Sequence, residues 1–206
     1  MSNVKLYYFP GACSLAPHIL LLETGHAFTT KQEVRGGSDE LRALNPKAKV
    51  PVLTIDDTVI TENIAIQTAI SNLAPEKNLL GAPGSLESVR ILEWLAWIAT
   101  SIHATGFGLY FRPFRFTTSS DEKAHEEIKV RAKEMLKDAF DLVEEKLTGI
   151  HAVGDRFTAA DAYLYVFYRW GSNIWDMEAT FPKYAALAAA VQARESTIKA
   201  LKDEGL

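Results

Sequence analysis

The order of elements near the N-terminus constrains this fold more than any other feature. An apolar strand over 4–9 runs through a Pro-Gly turn to Cys13, the only cysteine in the chain, and an apolar helix over 15–24 follows directly. The first N–H groups of a helix lack partners and lie at the positive end of its dipole. This order therefore predicts a Cys13 thiol with a lowered pKa, and hence a reactive sulfur site. The alternative is that Cys13 packs as a small hydrophobe.

Composition narrows the class of protein. The chain has 206 residues, 48% of them hydrophobic and 23% charged, which is enough for one large or two small cores. A net charge of -4 and a pI near 5.8 argue against a nucleic-acid-binding surface. A lone cysteine forms no intramolecular disulfide, and neither a signal-peptide pattern nor a membrane-spanning apolar run is apparent. We expect a cytoplasmic protein without nucleic-acid or membrane partners.

Up to about residue 74, short strands and helices alternate. The predicted elements are a strand over 4–9, a helix over 15–24, a strand over 29–34, a helical turn over 38–44, a hairpin over 50–60 and a helix over 62–73. Asp56-Asp57 forms the hairpin turn, and Thr61 is the predicted cap of the last helix. The pattern is βαβ-α-ββα.

The segment 75–85 holds two prolines and two glycines and is the natural linker. Beyond it the apolar residues follow helical periodicity only, in five predicted helices over 86–106, 122–147, 158–171, 183–194 and 195–202. Thr158 and Asp161 have the spacing of a capping box with a structural role. The prediction is an α/β plus all-α protein, with one domain over 1–76, a linker over 77–84 and an all-helical domain over 85–206.

Several motifs occur in a fixed order along nearly the whole chain. They are Gly-Ala-Cys-Ser-Leu at 11–15, Asn-Pro-Lys-Ala-Lys-Val-Pro at 45–51, Thr-Glu-Asn-Ile-Ala-Ile at 61–66, Glu-Trp-Leu at 93–95, Phe-Arg-Pro at 111–113 and Arg-Phe-Thr-Ala-Ala-Asp-Ala-Tyr-Leu at 156–164. Together they resemble the glutathione S-transferases, specifically the bacterial beta class. The resemblance implies a thioredoxin-like N-terminal domain, glutathione as co-substrate, small apolar electrophiles as second substrates, no metal, and a homodimer.

The resemblance also implies a glutathione-binding set of Val50, Pro51, Glu62 and Asn63. Val50-Pro51 stands where the family has a cis peptide, and the main chain of Val50 is free to pair with the ligand backbone. The helix start at Glu62-Asn63 suits the γ-glutamyl carboxylate, while Glu62 takes the ammonium. Asn63 replaces the usual Ser or Thr.

The resemblance places His103 opposite the glutathione sulfur. Cys13 is the first choice for the other catalytic residue, with Ser14 a further hydroxyl donor, and a tyrosine mechanism through Tyr7 or Tyr8 is the alternative. Whether Cys13 attacks, forms a mixed disulfide or only positions glutathione stays open.

Two further positions depart from the family pattern. Ala96 and Ala104 stand where the family often has Asn and Lys assisting the peptide. Lys31 and Arg35 are both candidates for the cation that holds the glycyl carboxylate, and the sequence does not choose between them.

Aromatic residues predict a pocket for the apolar co-substrate. Its candidate residues are Phe9, Phe107, Tyr110, Tyr163 and Trp170, the last two seven residues apart on one helix. Phe111, Trp94 and Trp97 are expected in the core.

The predicted function is conjugation of the glutathione thiolate to apolar electrophiles. One alternative is glutaredoxin-like thiol-disulfide exchange through Cys13, which needs one cysteine when glutathione resolves the intermediate. Another is a non-catalytic ligand-binding or stress module of the same fold. The sequence does not specify the electrophile.

Overall fold

A four-stranded sheet forms the base of the N-terminal domain in the computed structural model. The structure describes residues 2–206, and of the predicted first domain only Met1 lies outside the described residues. The strands are β1 (Val4–Tyr8), β2 (Phe28–Gln32), β3 (Val52–Ile55) and β4 (Thr58–Thr61). They lie in the order β2-β1-β3-β4, with β2 parallel to β1 and the other pairs antiparallel. This is the mixed sheet of a thioredoxin-like domain.

Helices cover both faces of the sheet because the strands are apolar on both sides. The helices are α1 (Leu15–Thr24), α2 (Asp39–Leu44) and α3 (Asn63–Leu73), followed by a 3-10 turn over Pro75–Lys77. Alternate residues of β1 divide between two cores, since Leu6 and Tyr8 join the main core and Tyr7 packs with Leu41 of α2 and Val52. The predicted βαβ-α-ββα arrangement is confirmed.

The C-terminal domain is entirely helical, as predicted. Its elements are α4 (Leu86–Trp97), a π-helical segment (Ile98–Phe107), α5 (Gly108–Phe111), a 3-10 turn (Pro113–Arg115), α6 (Glu122–Lys146), α7 (Ala159–Gly171), α8 (Met177–Thr180), α9 (Pro182–Gln192) and α10 (Glu195–Glu204). The sequence missed α5 and α8, because one turn is too short to show a period. The single α-helix predicted over 86–106 is wrong beyond Trp97, where the backbone widens into the π-helix.

The π-helical segment packs closely against α6. A Cβ atom on Gly106 would lie 2.4 Å from Cδ2 of Leu136, so glycine permits the close approach of the two helices. The long α7 lies in the centre of the domain and is buried on most sides. At its start Asp161 accepts the N–H groups of Thr158 and Ala152, each at 2.7 Å, which confirms the predicted structural cap. Within residues 2–206, no helix is long and apolar enough to cross a membrane.

The helical domain holds the turn that precedes Cys13. Gly11 donates its N–H to Oε2 of Glu204 at 2.9 Å and accepts from Nε1 of Trp170 at 2.8 Å. The other oxygen of Glu204 lies 2.9 Å from Nδ1 of His18, which is buried on α1. Both main-chain polar groups of Gly11 are therefore fixed by α7 and α10.

Candidate active site

Cys13 lies where the turn before α1 meets the loop before β3. Its thiol donates to the carbonyl oxygen of Val50 at 3.6 Å, and Nδ2 of Asn63 donates to the carbonyl of Cys13 at 2.9 Å. The Val50-Pro51 peptide is cis, as the resemblance implied. The structure thus brings together Cys13, Val50, Pro51 and Asn63 from the predicted site.

The thiol of Cys13 differs from its prediction. Cys13 is only 7% exposed, and burial raises its pKa to about 11, although Asn63 and the charges of Arg112 and Lys49 act in the opposite direction. The predicted lowering of the pKa is therefore wrong. Cys13 lies one residue before Ser14, the N-cap position of α1, and so outside the helix. Its hydrogen bond goes to a carbonyl oxygen, which stabilises the protonated thiol.

The three hydroxyl candidates point elsewhere. Ser14 is fully buried, and its hydroxyl exchanges two 3.2 Å hydrogen bonds with the main chain of Phe9, so it closes the turn without capping α1. The hydroxyl of Tyr7 donates to Glu40 at 2.8 Å, and that of Tyr8 to the carbonyl of Asp203 at 3.4 Å. None of these hydroxyls is directed at Cys13.

The helix start beside Cys13 is built differently from the prediction. Thr61 is the last residue of β4, and Glu62 caps α3 with a left-handed backbone (φ 69°). Such backbones are costly for non-glycine residues and concentrate at functional sites. The exposed carboxylate of Glu62 pairs with Lys47, whose hydrogen bond lowers the pKa of Glu62. Asn63 is occupied by Cys13 and by Gln67, which donates to its Oδ1 at 2.6 Å, leaving the first main-chain N–H groups of α3 for a ligand.

His103 lies in the π-helical segment with its ring against three aromatic side chains of α7. Its Nδ1 is 3.1 Å from the hydroxyl of Tyr163, and the ring centroids of Tyr163, Phe167 and Trp170 lie 5.2–6.3 Å away. Burial lowers the pKa of His103 to about 4, and the charges of Arg112 and Lys49 act in the same direction. The imidazole is therefore neutral near pH 7. When Tyr163 donates to Nδ1, the Nε2 atom carries the proton and is a donor.

Tyr163 links His103 to the thiol. Burial raises the pKa of the Tyr163 phenol well above its usual value, and proximity to Cys13 raises it further. Cys13, Tyr163 and His103 therefore lie in one neighbourhood, formed by both domains.

The aromatic residues divide into a buried layer and a surface layer. Phe107 and Tyr163 are at most 1% exposed and belong to the core. Phe111, expected in the core, is instead 49% exposed, and its ring lies 5.5 Å from that of Phe107 and 5.4 Å from that of the part-buried Trp170. Phe111 and Trp170 therefore form the accessible aromatic surface, because Phe107 fills the space beneath them.

The remaining candidates for the aromatic pocket, Phe9 and Tyr110, are part-buried and lie near cationic side chains. Phe9 is part-buried with the guanidinium of Arg35 5.9 Å from its ring centroid, and part-buried Tyr110 has the ammonium of Lys133 at 5.8 Å. Trp94 is buried beside Trp97, as expected.

The cations near the thiol are residues to which the sequence assigned no role. Lys49 directly precedes Val50, and Arg112 ends α5; both are exposed and both act on the pKa of Cys13 and of His103. Neither side chain forms an ion pair with any residue of the described 2–206 range. Arg112 belongs to the Phe-Arg-Pro motif, and this motif was the sequence feature that could have pointed to a role for Arg112.

The two earlier candidates for a carboxylate-binding cation have other partners. Lys31 pairs with Glu40, and Arg35 lies over Phe9. Ala96 and Ala104 are both exposed and contribute no polar group.

The N-terminal domain is thioredoxin-like, and its cis-proline loop meets the N-terminus of a helix. The all-α domain supplies an imidazole and an aromatic surface. These features define a class of two-domain thiol transferases. The comparisons with known proteins agree. The chain matches the family model of the glutathione S-transferase N-terminal domain over residues 2–72 and of the C-terminal domain over residues 98–195.

Glutathione S-transferase GstA of Escherichia coli O157:H7 is 36% identical over 211 residues, covering 98% of this chain and 100% of that protein. The solved bacterial beta class glutathione S-transferase of Sphingomonas chungbukensis is 36% identical, with a TM-score of 0.83 and coverage of 98% and 99%. A sphingomonad glutathione S-transferase complexed with glutathione is 35% identical, with the same TM-score and coverage.

The chain belongs to the glutathione S-transferase family, and it is an enzyme of the bacterial type. The family, fold class and enzyme class predicted from the sequence are confirmed.

Proposed function

We propose that this transferase binds glutathione along the loop before β3 and conjugates its sulfur to small apolar electrophiles. The observation that carries the proposal is that Cys13 contacts both Val50, at the cis-proline loop, and Asn63, at the start of α3. The sphingomonad relative complexed with glutathione supports the choice of ligand.

The main chain of Val50 is available to a peptide. Strand β3 begins at Val52, which pairs with Tyr7 and Thr61, so Val50 lies outside the sheet ladder. Its carbonyl receives only the weak thiol donor of Cys13 among the hydrogen bonds within residues 2–206. An extended ligand backbone can therefore pair with Val50 as an added strand would.

Charged groups near Val50 and the start of α3 fit the charged groups of glutathione. The free N–H groups of α3 and its dipole suit the γ-glutamyl carboxylate, while Glu62 attracts the ammonium. Lys47 already pairs with Glu62, so the ligand ammonium shares or displaces that ion pair. We assign the glycyl carboxylate to Lys49, the exposed cation directly before Val50 that is unpaired within residues 2–206, in place of Lys31 or Arg35.

The state of Cys13 favours conjugation over disulfide exchange. With a pKa of about 11, roughly 0.03% of the Cys13 thiol is ionised at pH 7.5. A protonated thiol is a donor, and so is Nε2–H of His103; both stabilise the glutathione thiolate. That thiolate attacks the electrophilic carbon, the C–S bond forms, and the leaving group departs with its electron pair.

An exposed apolar stripe on α4 supports a symmetric homodimer. Leu86, Val89 and Leu92 follow helical spacing and are 83%, 57% and 40% exposed. A two-fold interface on this helix buries the stripe against its copy. Sedimentation of the wild type and of Leu86→Glu/Val89→Glu tests this; we expect a dimer for the wild type and a monomer for the double variant.

We also propose a cytoplasmic location, where glutathione is kept reduced.

Calorimetric titration of glutathione into the wild type and Cys13→Ala, with conjugation and disulfide-reduction assays on the same samples, tests the function. We expect binding by both proteins and conjugation by both, weaker in the variant. Disulfide reduction alone, lost in Cys13→Ala, would instead establish an exchange enzyme. Binding without turnover would indicate a ligand-binding module.

A further inference from the structure

Arg112 has an anchored backbone and a guanidinium without an ion-pair partner in residues 2–206. Its N–H donates to the carbonyl of Gly108 at 3.1 Å, and its own carbonyl accepts from Arg115 at 3.0 Å. The next residue, Pro113, is buried. The backbone of Arg112 is thus anchored on both sides, while no carboxylate of residues 2–206 pairs with its guanidinium.

Arg112 directly follows the accessible aromatic surface. Phe111 contacts Trp170, and Trp170 lies 5.7 Å from His103 between ring centroids. The guanidinium is also near enough to Cys13 and His103 to lower the pKa of both. The cation therefore lies beside the place where an apolar substrate meets the glutathione sulfur.

The proposed glutathione contacts leave Arg112 unused. The α3 N-terminus and Lys49 account for the two carboxylates of glutathione, and both belong to the N-terminal domain. Arg112 belongs to the helical domain, as do Phe111 and Trp170, whose rings meet edge to face. An unpaired guanidinium on the residue that follows an exposed ring suits a planar molecule that carries a carboxylate.

We propose that Arg112 selects aromatic electrophiles that carry a carboxylate, whose ring packs on Phe111 and Trp170. This inference rests on the proposed function and deepens it by naming the substrate class. In the reaction, the glutathione thiolate forms a C–S bond to the ring carbon that bears a halogen. The C–halogen bond breaks, the halide leaves with the electron pair, and the thiol proton has already passed to solvent.

Two electrophiles that differ in charge test the proposal: 4-chloro-3,5-dinitrobenzoate and 4-chloro-3,5-dinitrobenzamide, with saturating glutathione. We expect wild-type kcat/KM to favour the carboxylate. Arg112→Gln lowers kcat/KM for the carboxylate about tenfold, as expected for loss of a charge-assisted hydrogen bond, and changes that for the amide less than about twofold. Arg112→Lys restores part of the loss.

Arg115→Gln is the matched control. It removes the same charge from the same exposed segment, where Arg115 lies over Phe114, 6.0 Å from its ring centroid. We expect it to leave both rates unchanged.

Three results would overturn the inference. The first is an equal loss of kcat/KM for both electrophiles in Arg112→Gln. The second is a raised KM for glutathione in that variant, which would assign Arg112 to glutathione binding. The third is a wild type whose kcat/KM shows no preference for the carboxylate. If the wild type conjugates neither compound, the proposed function fails first. Calorimetry with unreactive 3,5-dinitrobenzoate and 3,5-dinitrobenzamide then still tests Arg112 by itself, and equal affinity for the two would contradict its role.

Discussion

The Nδ1 atom of His103 lies 3.1 Å from the hydroxyl oxygen of Tyr163, a residue that is itself fully buried. The pair joins a core residue of α7 to the imidazole of the π-helical segment. Because the core fixes the phenol, the hydrogen bond in turn fixes the orientation of the ring.

Removing that hydroxyl should impair catalysis more than folding. In Tyr163→Phe we expect kcat/KM for conjugation to fall about fivefold, since a neutral hydrogen bond contributes about 1 kcal/mol. Tyr165→Phe is the control, because its hydroxyl makes only a 3.5 Å contact with Gln192. Steady-state kinetics and thermal unfolding of both variants check this, and equal kinetic losses would count against the role of Tyr163.

The lowered pKa of His103 has a consequence for stability against pH. The neutral ring is favoured in the folded state, with a pKa of about 4, and an unfolded histidine titrates near 6.5. The unfolded state therefore binds more protons between these values, so stability falls as pH drops through about 6.5 towards about 4. The urea midpoint of His103→Gln should fall less steeply in this window than that of the wild type. A slope unchanged in His103→Gln would show that His103 does not titrate as described.

The raised pKa of Cys13 predicts a thiol that reacts slowly with alkylating agents. At pH 8.5, ionisation alone should make alkylation by iodoacetamide roughly fiftyfold or more slower than for an unperturbed cysteine. The rate should rise with pH, and protein unfolded in urea should react at the ordinary rate. Rapid alkylation of the folded protein at neutral pH would contradict the buried, protonated thiol.

Glu204 should contribute strongly to stability because its buried carboxylate serves the buried His18 and the part-buried Gly11. Glu204→Ala leaves the N–H of Gly11 and Nδ1 of His18 without acceptors, and we expect a loss of about 2–4 kcal/mol in the free energy of unfolding. Asp141→Ala is the control, since its side chain is 53% exposed and pairs, within residues 2–206, only with Lys137 on α6; its cost should stay below about 1 kcal/mol. Urea denaturation of both variants measures the difference, and equal costs would remove the special role of Glu204.

Local patterns were sufficient for most of the fold. Helix α1 begins and ends at the predicted residues, and the Asp56-Asp57 hairpin follows from strand periodicity and turn chemistry. The capping box at Thr158 and Asp161 is equally local. The π-helical segment was not predictable, because it depends on how Gly106 packs against a residue thirty positions away.

The sequence predicted where the site residues lie along the chain, but it did not predict the pKa of the Cys13 thiol. The sequence placed Cys13 before a helix, whereas its pKa is set by burial beneath Val50 and the helical domain. Phe111 is exposed because Phe107 occupies the core position, a difference that spacing does not reveal. Lys49 and Arg112 escaped attention because exposed cations follow no periodicity, and only the folded chain shows that both lie near one thiol.

The central claim is that the sulfur ionised at neutral pH belongs to glutathione and not to the protein. Titration of the ultraviolet thiolate absorbance against pH, for the wild type and Cys13→Ala with and without glutathione, tests it most directly. The account predicts no thiolate below about pH 9 in either free protein, and a thiolate that appears near neutral pH in both glutathione complexes. A neutral-pH thiolate in the free wild type that disappears in Cys13→Ala would contradict it.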